Sequence, residues 1–314
     1  MNGLRLSVVI GLLALSALAA TQAPARDARE ASSAAECSQT STGLVPLTEM
    51  GKRRYRGQRG GLYPNGSNQP RRGYLKQGLA AAKRIRPVNG RIVVLSIGMS
   101  MTTQEFRAFM NAAAGDAAIN PAVELIDGAM AGWDARRISK PKAGYWGAVD
   151  RRLAASGGVR KEVQAVWLKE AISGEDRQFP HDANALRSNL RAIARILAAR
   201  FPNLRLIYVS SRTYGGYAVT ALNPEPAAYD SAYAARGLIQ DRIQGKLKRP
   251  WIGWGPYLWA DGLTPRSDGL TWSCDDFRKD GTNPSAAGAA KVARLLLQFF
   301  KSDPTAKSWF LAAS

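Results

Sequence analysis

The apolar positions of the chain fall into short unbroken runs separated by segments with a helical period. Ile92-Val93-Val94-Leu95-Ser96-Ile97 is apolar on both faces over strand length, so 91–97 predicts a buried strand. Gly98, Met99 and Ser100 follow it, and Phe106, Phe109, Met110 and Ala113 then recur at helical spacing. Thr102 and Glu105 are placed as a capping box for that helix. Val123 to Asp127, Val163 to Leu168 and Leu204 to Ser210 repeat the strand pattern. Phe179-Pro180-His181-Asp182 opens a helix striped by Ala183, Leu186, Leu190, Ile193 and Leu197. Pro224 to Ile243, and Val292 with Leu295, Leu296, Phe299 and Phe300, mark two more helices. Strands and helices alternating at this spacing predict βαβ units and a parallel sheet covered on both faces.

That pattern puts Ser100 on a turn between a strand's carboxyl end and a helix's amino end. Open α/β sheets place ligands at this edge, where free N–H groups and the helix dipole favour negative charge. Ser100 is either an ordinary turn residue or the centre of a site. A glycine-bearing loop, Gly128 to Asp134, follows the second strand. Trp251, Trp254, Tyr257 and Trp259 crowd one short stretch, as core and loop packing or as a surface that stacks on sugar rings.

Composition changes the picture at the amino end. Residues 1–20 carry Arg5, an apolar run from Leu6 and Ala17-Leu18-Ala19, the pattern of a cleaved secretory signal. The run is short for a membrane span of about 20 residues, and no other stretch is long and apolar enough. Residues 21–42 lack an apolar period and read as a disordered leader, followed by one domain over 43–314. A secreted or periplasmic protein is expected. Its two cysteines, Cys37 and Cys274, are then either one disulfide or two buried thiols.

The formal net charge is +20, and residues 51–90 hold eleven Lys or Arg with no Asp or Glu. This turn-rich stretch reads as an irregular basic arm laid over the domain. For an exported protein the partners that suit it are acidic glycans, anionic head groups or envelope polymers rather than nucleic acid. No Cys/His cluster has metal-ligand spacing, so neither metal nor cofactor is expected.

Gly98-x-Ser100 after the first strand, Gly132 after the second, and Asp280-Gly281-Thr282-Asn283 before the last helix occur together in that order. The constellation resembles the SGNH (GDSL-like) hydrolases over about residues 43–310. The resemblance implies a flavodoxin-like three-layer αβα sandwich with a mostly parallel sheet. It implies a serine hydrolase acting on small-molecule or glycan acyl esters, without a cofactor. Ser100 matches the nucleophile, the N–H groups of Ser100 and Gly132 the oxyanion donors, and Asp280 the aspartate of the last block. The sequence departs from the family at three places. Met99 replaces an aspartate. The loop Lys169-Glu170-Ala171-Ile172 lacks the third-block asparagine, leaving Lys169 as either a substitute donor or a solvated loop lysine. Asn283 stands where the catalytic histidine belongs. An amide does not take a proton as imidazole does. Asn283 also reads as an N-cap, with Pro284 at the first helical position. His181 is the single histidine, either a displaced base on the same sheet edge or a surface residue. A chain without a working base would instead be a binding protein, using Trp254, Tyr257, Trp259 and the basic arm.

Overall fold

The order of the chain's strands in space differs from their order in sequence, and that difference places the site. The structure is a computed structural model and describes Met1, Ala35 and residues 37–174, 178–222 and 224–312. The signal-like segment beyond Met1, and the leader through residue 34, lie outside the described residues. An amino-terminal hairpin, β1 (Arg54–Tyr55) and β2 (Gln58–Arg59), precedes helix α1 (Arg72–Ala82). Then come β3 (Ile92–Gly98), α2 (Ser100–Ala113), β4 (Val123–Asp127), α3 (Ala135–Ile138) and α4 (Gly144–Ala155). The rest is β5 (Val163–Lys169), α5 (His181–Arg200), β6 (Leu206–Val209), α6 (Ala227–Ile243), β7 (Trp251–Trp254), α7 (Ala286–Ser302) and α8 (Lys307–Phe310).

The main sheet runs β4-β3-β5-β6-β7, with every neighbouring pair parallel. It is the α/β architecture expected from the alternating pattern, a five-stranded parallel sheet flanked by helices. Right-handed crossovers put α2 on one face, because β3 steps to β4 in one direction, and α4, α5 and α6 on the other. Helix α7 packs on α2, which completes the first layer, while α5 and α6 pack together in the second. β3 and β5 are buried at every position, as both-face coverage requires. Phe106, Phe109, Trp167, Tyr208 and Phe300 knit the α2–α7 layer to the sheet through ring contacts.

The basic stretch is not simply irregular. Residues 72–82 form α1, whose Tyr74 and Gly78 sit against β7. Tyr74 donates its hydroxyl to the Ile252 carbonyl at 2.7 Å, and Trp251 donates to the Tyr74 carbonyl at 3.1 Å. The arm therefore covers the sheet's β7 edge, which would otherwise present unpaired backbone groups. The aromatic run is part of the same packing. Trp254, Tyr257 and Trp259 are 5%, 5% and 0% exposed, so the reading of these rings as a sugar-stacking surface does not fit the structure. Trp254 bonds the Leu62 carbonyl, Tyr257 accepts from the Leu47 N–H, and Trp259 donates to Glu225. Each polar tip is occupied by the fold itself.

Residues 37–42, read as the end of a leader, are tied down. Cys37 and Cys274 form a disulfide, with Cα atoms 5.4 Å apart. The Asp261 carboxylate accepts from the Ser41 hydroxyl, the Thr42 N–H and hydroxyl, and the Gly43 N–H. Among the described residues no helix is long and apolar enough to cross a membrane.

Candidate active site

β3 connects leftward to β4 and β5 connects rightward to β6, so their carboxyl ends flank the switch point of the sheet, the usual ligand crevice. Gly98 allows the two strand ends to close: a Cβ there would lie 2.2 Å from the Lys169 carbonyl oxygen. The next residues turn directly into α2, which begins at Ser100 rather than after a capping box. Thr102 instead donates to the Lys169 carbonyl at 2.7 Å, and Glu105 turns inward to the Lys169 ammonium. Ser100 thus occupies the first helical position, with its hydroxyl beside the unsatisfied N–H groups of the first turn.

The structure brings Ser100, Asn283 and Asp280 into one chain of hydrogen bonds. The Ser100 hydroxyl donates to Asn283 Oδ1 at 3.0 Å. Asn283 Nδ2 donates to Asp280 Oδ2 at 2.6 Å. The acceptor-only carboxylate fixes which way the amide faces, so Oδ1 must point at the serine. Asp280 Oδ1 also receives the N–H groups of Thr282 and Asn283, which shapes the loop. Asn283 is not the helix cap. α7 begins at Ala286, and Ser285 caps it by accepting from the Gly288 N–H at 3.2 Å. The cap two residues downstream leaves the Asn283 side chain free to face Ser100.

Gly132 is exposed on the loop after β4. That loop lies alongside the start of α2, with Met130 N–H on the Gly98 carbonyl at 3.0 Å and Thr103 hydroxyl on the Ala129 carbonyl at 2.6 Å. The Gly132 carbonyl accepts from Arg137. His181 is not part of the chain. It is exposed in the first turn of α5, and among the described residues its imidazole makes no hydrogen bond or ion pair.

Two features were not anticipated. Gln104 donates from Nε2 to the Ser100 carbonyl at 3.1 Å and to Asn283 Oδ1 at 3.2 Å. Its position four residues after Ser100, hence on the same helix face, was the available signal. The second is a buried charged cluster behind Ser100, made of Glu105, Lys169, Glu170 and Arg212. All four are 2% exposed or less. Lys169 is therefore no solvated loop residue: its Nζ meets both Glu105 oxygens, at 2.5 and 2.6 Å. Burial pushes the Lys169 ammonium down to about 8, against the pull of Glu105. Burial also holds the Glu170 carboxyl well above the usual carboxylate range. Arg212 reaches the Met101 sulfur with Nη2, while its Nε and Nη1 have no hydrogen-bond partner. Arg212 lies just beyond β6, in a polar stretch with no period to draw attention to it. No group of carboxylate, cysteine or histidine side chains among the described residues could hold a metal ion.

Chemically, the site offers a hydroxyl at a helix amino end, a glycine-bearing loop alongside that helix end, and a carboxylate-anchored amide in contact with the hydroxyl. Among the described residues it shows no base hydrogen-bonded to the Ser100 hydroxyl, whose acceptor is the Asn283 amide oxygen.

No family model matches the sequence, and no curated protein matches it. Solved structures do. A GDSL-like lipase from Bacteroides thetaiotaomicron is 10% identical, with 72% of this chain and 95% of that chain covered and a TM-score of 0.40. The periplasmic domain of a lipopolysaccharide acetyltransferase from Salmonella ser. Paratyphi A is 12% identical, covering 72% and 94%, with a TM-score of 0.40. A protein from Arabidopsis thaliana is 18% identical, covering 62% of this chain and 67% of that chain, with a TM-score of 0.34.

Proposed function

We propose that this chain is an SGNH-type serine ester hydrolase that turns over slowly. Ser100 attacks an acyl ester of a small molecule or glycan, giving its hydroxyl proton to solvent water, and the N–H groups of Ser100 and Gly132 receive the oxyanion; the alcohol leaves with a proton from solvent, and water then hydrolyses the acyl-serine. Asp280 and Asn283 hold the serine in place. The observation that carries this reading is the Ser100–Asn283–Asp280 chain, which repeats the connectivity of a catalytic triad with an amide in the imidazole's position. Oxyanion stabilisation and binding alone retain about 10³–10⁴-fold over water when a triad member is missing. The reading includes export, on the strength of the signal-like segment 1–20 and a disulfide suited to an oxidising compartment.

The test is release of 4-nitrophenol from 4-nitrophenyl acetate by wild type and Ser100→Ala, together with labelling by a fluorophosphonate. Wild type should exceed Ser100→Ala and carry the label on Ser100. Equal rates with no label would overturn hydrolysis.

A second reading is favoured by the same amide. Because Asn283 Oδ1 accepts the serine hydrogen bond without accepting its proton, the site would hold an ester or glycan without cleaving it. The unlabelled, inactive outcome selects this reading.

A further inference from the structure

We propose that the arm carries a binding site for an acidic polysaccharide, with one sugar seated in a cleft and the chain continuing along a basic stripe. The site lies at the β7 edge, three strands from the strand that presents Ser100, so it stands apart from the ester reading.

The arm is built with two sides. Tyr63, Tyr74 and Ile85 are buried inward. All eleven Lys and Arg residues between 51 and 90 are exposed. Elsewhere several cations find carboxylates, as Arg107 does with Asp127, Arg160 with Asp150 and Arg187 with Asp241. Among the described residues, none of the arm's eleven forms an ion pair. Arg53 and Arg54 bond only backbone carbonyls of their own turns. Clustered like charge is held here with no carboxylate in ion-pair contact among the described residues, which leaves it open to neutralisation from outside.

Arg72, Lys76 and Lys83 of α1 and its last turn supply a direction. At about 100° per residue they fall within about 40° of one another, opposite the buried Tyr74 and Gly78, over a rise of about 16 Å. This is a straight row of cations matched to a linear polyanion.

At the head of the row, Tyr63, Pro64, Asn65 and Arg71 face Gln240, Ile243 and Gln244 of α6 and its end across a cleft of about 130 Å³. The side chains of Asn65, Arg71, Gln240 and Gln244 make no hydrogen bond among the described residues. Two amides and an asparagine suit sugar hydroxyls, and the guanidinium suits a carboxylate or sulfate in bidentate fashion. Ile243, 41% exposed, offers an apolar contact for a ring face. The arm exposes no large apolar side chain to sink into a bilayer, and no ring on which a base could stack. The favoured ligand class is therefore a polymer of uronate or sulfated sugars rather than lipid or single-stranded nucleic acid.

The test is fluorescence anisotropy with labelled oligogalacturonate on the full chain, at 50 and 300 mM NaCl. The competitors are neutral dextran, phosphatidylglycerol vesicles and a DNA duplex. The stripe variant carries Arg72→Gln, Lys76→Gln and Lys83→Gln; the cleft variant carries Arg71→Gln and Gln240→Ala. Thermal melts confirm that both remain folded, as substitutions of exposed and, at Gln240, half-buried side chains should. Wild type should bind, and dextran should not compete. The stripe variant should weaken binding about tenfold at 50 mM salt and flatten its salt dependence, since fewer counterions are released. The cleft variant should weaken it at 300 mM, where exposed long-range charge is screened. Wild-type affinity in the stripe variant would overturn the proposal. So would complete competition by vesicles or duplex at equal charge, which would assign the arm to lipid or nucleic acid instead.

Discussion

Gly281 and Tyr217 meet so closely that the site loop is built around the absence of a side chain. Gly281 has φ +62°, and a Cβ there would lie 1.6 Å from the Tyr217 carbonyl oxygen. The neighbouring Val219 N–H bonds the Asp280 carbonyl at 3.3 Å. The segment after β6 thus sets the height at which Asp280 and Asn283 face Ser100. Gly281→Ala is expected to lower stability by at least about 1–2 kcal/mol, since left-handed strain and a backbone clash add. It should also abolish fluorophosphonate labelling at a temperature where the protein stays folded. A thermal melt with a labelling gel checks both, and labelling at the wild-type rate would count against the loop's positioning role.

Asn283→His is expected to raise esterase activity by roughly 10–10³-fold, because Asp280 is already placed to hold the ring nitrogen that replaces Nδ2. The gain should follow a pH profile rising near the ordinary imidazole pKa of about 6.5. His181→Ala should leave the wild-type rate unchanged, as His181 makes no contact in the chain. Loss of activity in His181→Ala equal to that of Ser100→Ala would reinstate it as the base. Rates from pH 5 to 9 on one ester decide both points.

Lys169→Met should destabilise by about 3–5 kcal/mol, because Glu105 is left charged and unpaired in the core. Adding Glu105→Leu should recover most of that loss. Chemical denaturation of the two single variants and the double variant measures the coupling. A double variant no more stable than Lys169→Met alone would show that another group holds Glu105.

Stability should fall as pH rises from about 4 to about 6, in part because of Asp230. Burial pushes its carboxyl up to about 6, with Asp182 of α5 adding to the shift and Tyr55 and Arg56 of the hairpin opposing it. The unfolded carboxyl, near 3.9, releases its proton first. Between the two values the folded protein binds more protons, so raising the pH favours unfolding. Asp230→Asn removes that contribution and should be more stable than wild type at pH 7 by about 3 kcal/mol, with little difference at pH 4. Melting temperatures at both pH values test it.

The sheet strands were legible because both-face burial leaves an unbroken apolar run, as in Ile92–Ile97 and Val163–Leu168. α1 was not, because its basic residues dominate the reading while Gly78 weakens the apolar stripe on which Tyr74 and Ala82 sit. The aromatic run 251–259 has a composition common to cores and sugar sites. Only the cover supplied by the arm decides between them, and that contact joins distant parts of the chain. The order Ser100, Gly132, Asp280, Asn283 was legible as a site. The role of Asn283 was not, since the sequence permits it to cap a helix and Ser285 proves the better placed. The cluster Glu105–Lys169–Glu170–Arg212 was hidden because Glu105 reads as a capping partner and Lys169 and Glu170 as solvated loop residues, and only a closed sheet edge makes them internal.

The arm rests on β7, and Cys37 bonds to Cys274, 237 residues later. On a chain made from its amino end, the first described segment has no partner until nearly all of the sequence has emerged. The interval suits its composition. A strongly basic, turn-rich stretch repels itself, resists premature collapse and stays soluble while β3 to β6 assemble. The final clasp then reports completion: a chain truncated before β7 leaves both the sheet edge and the Cys37 thiol open.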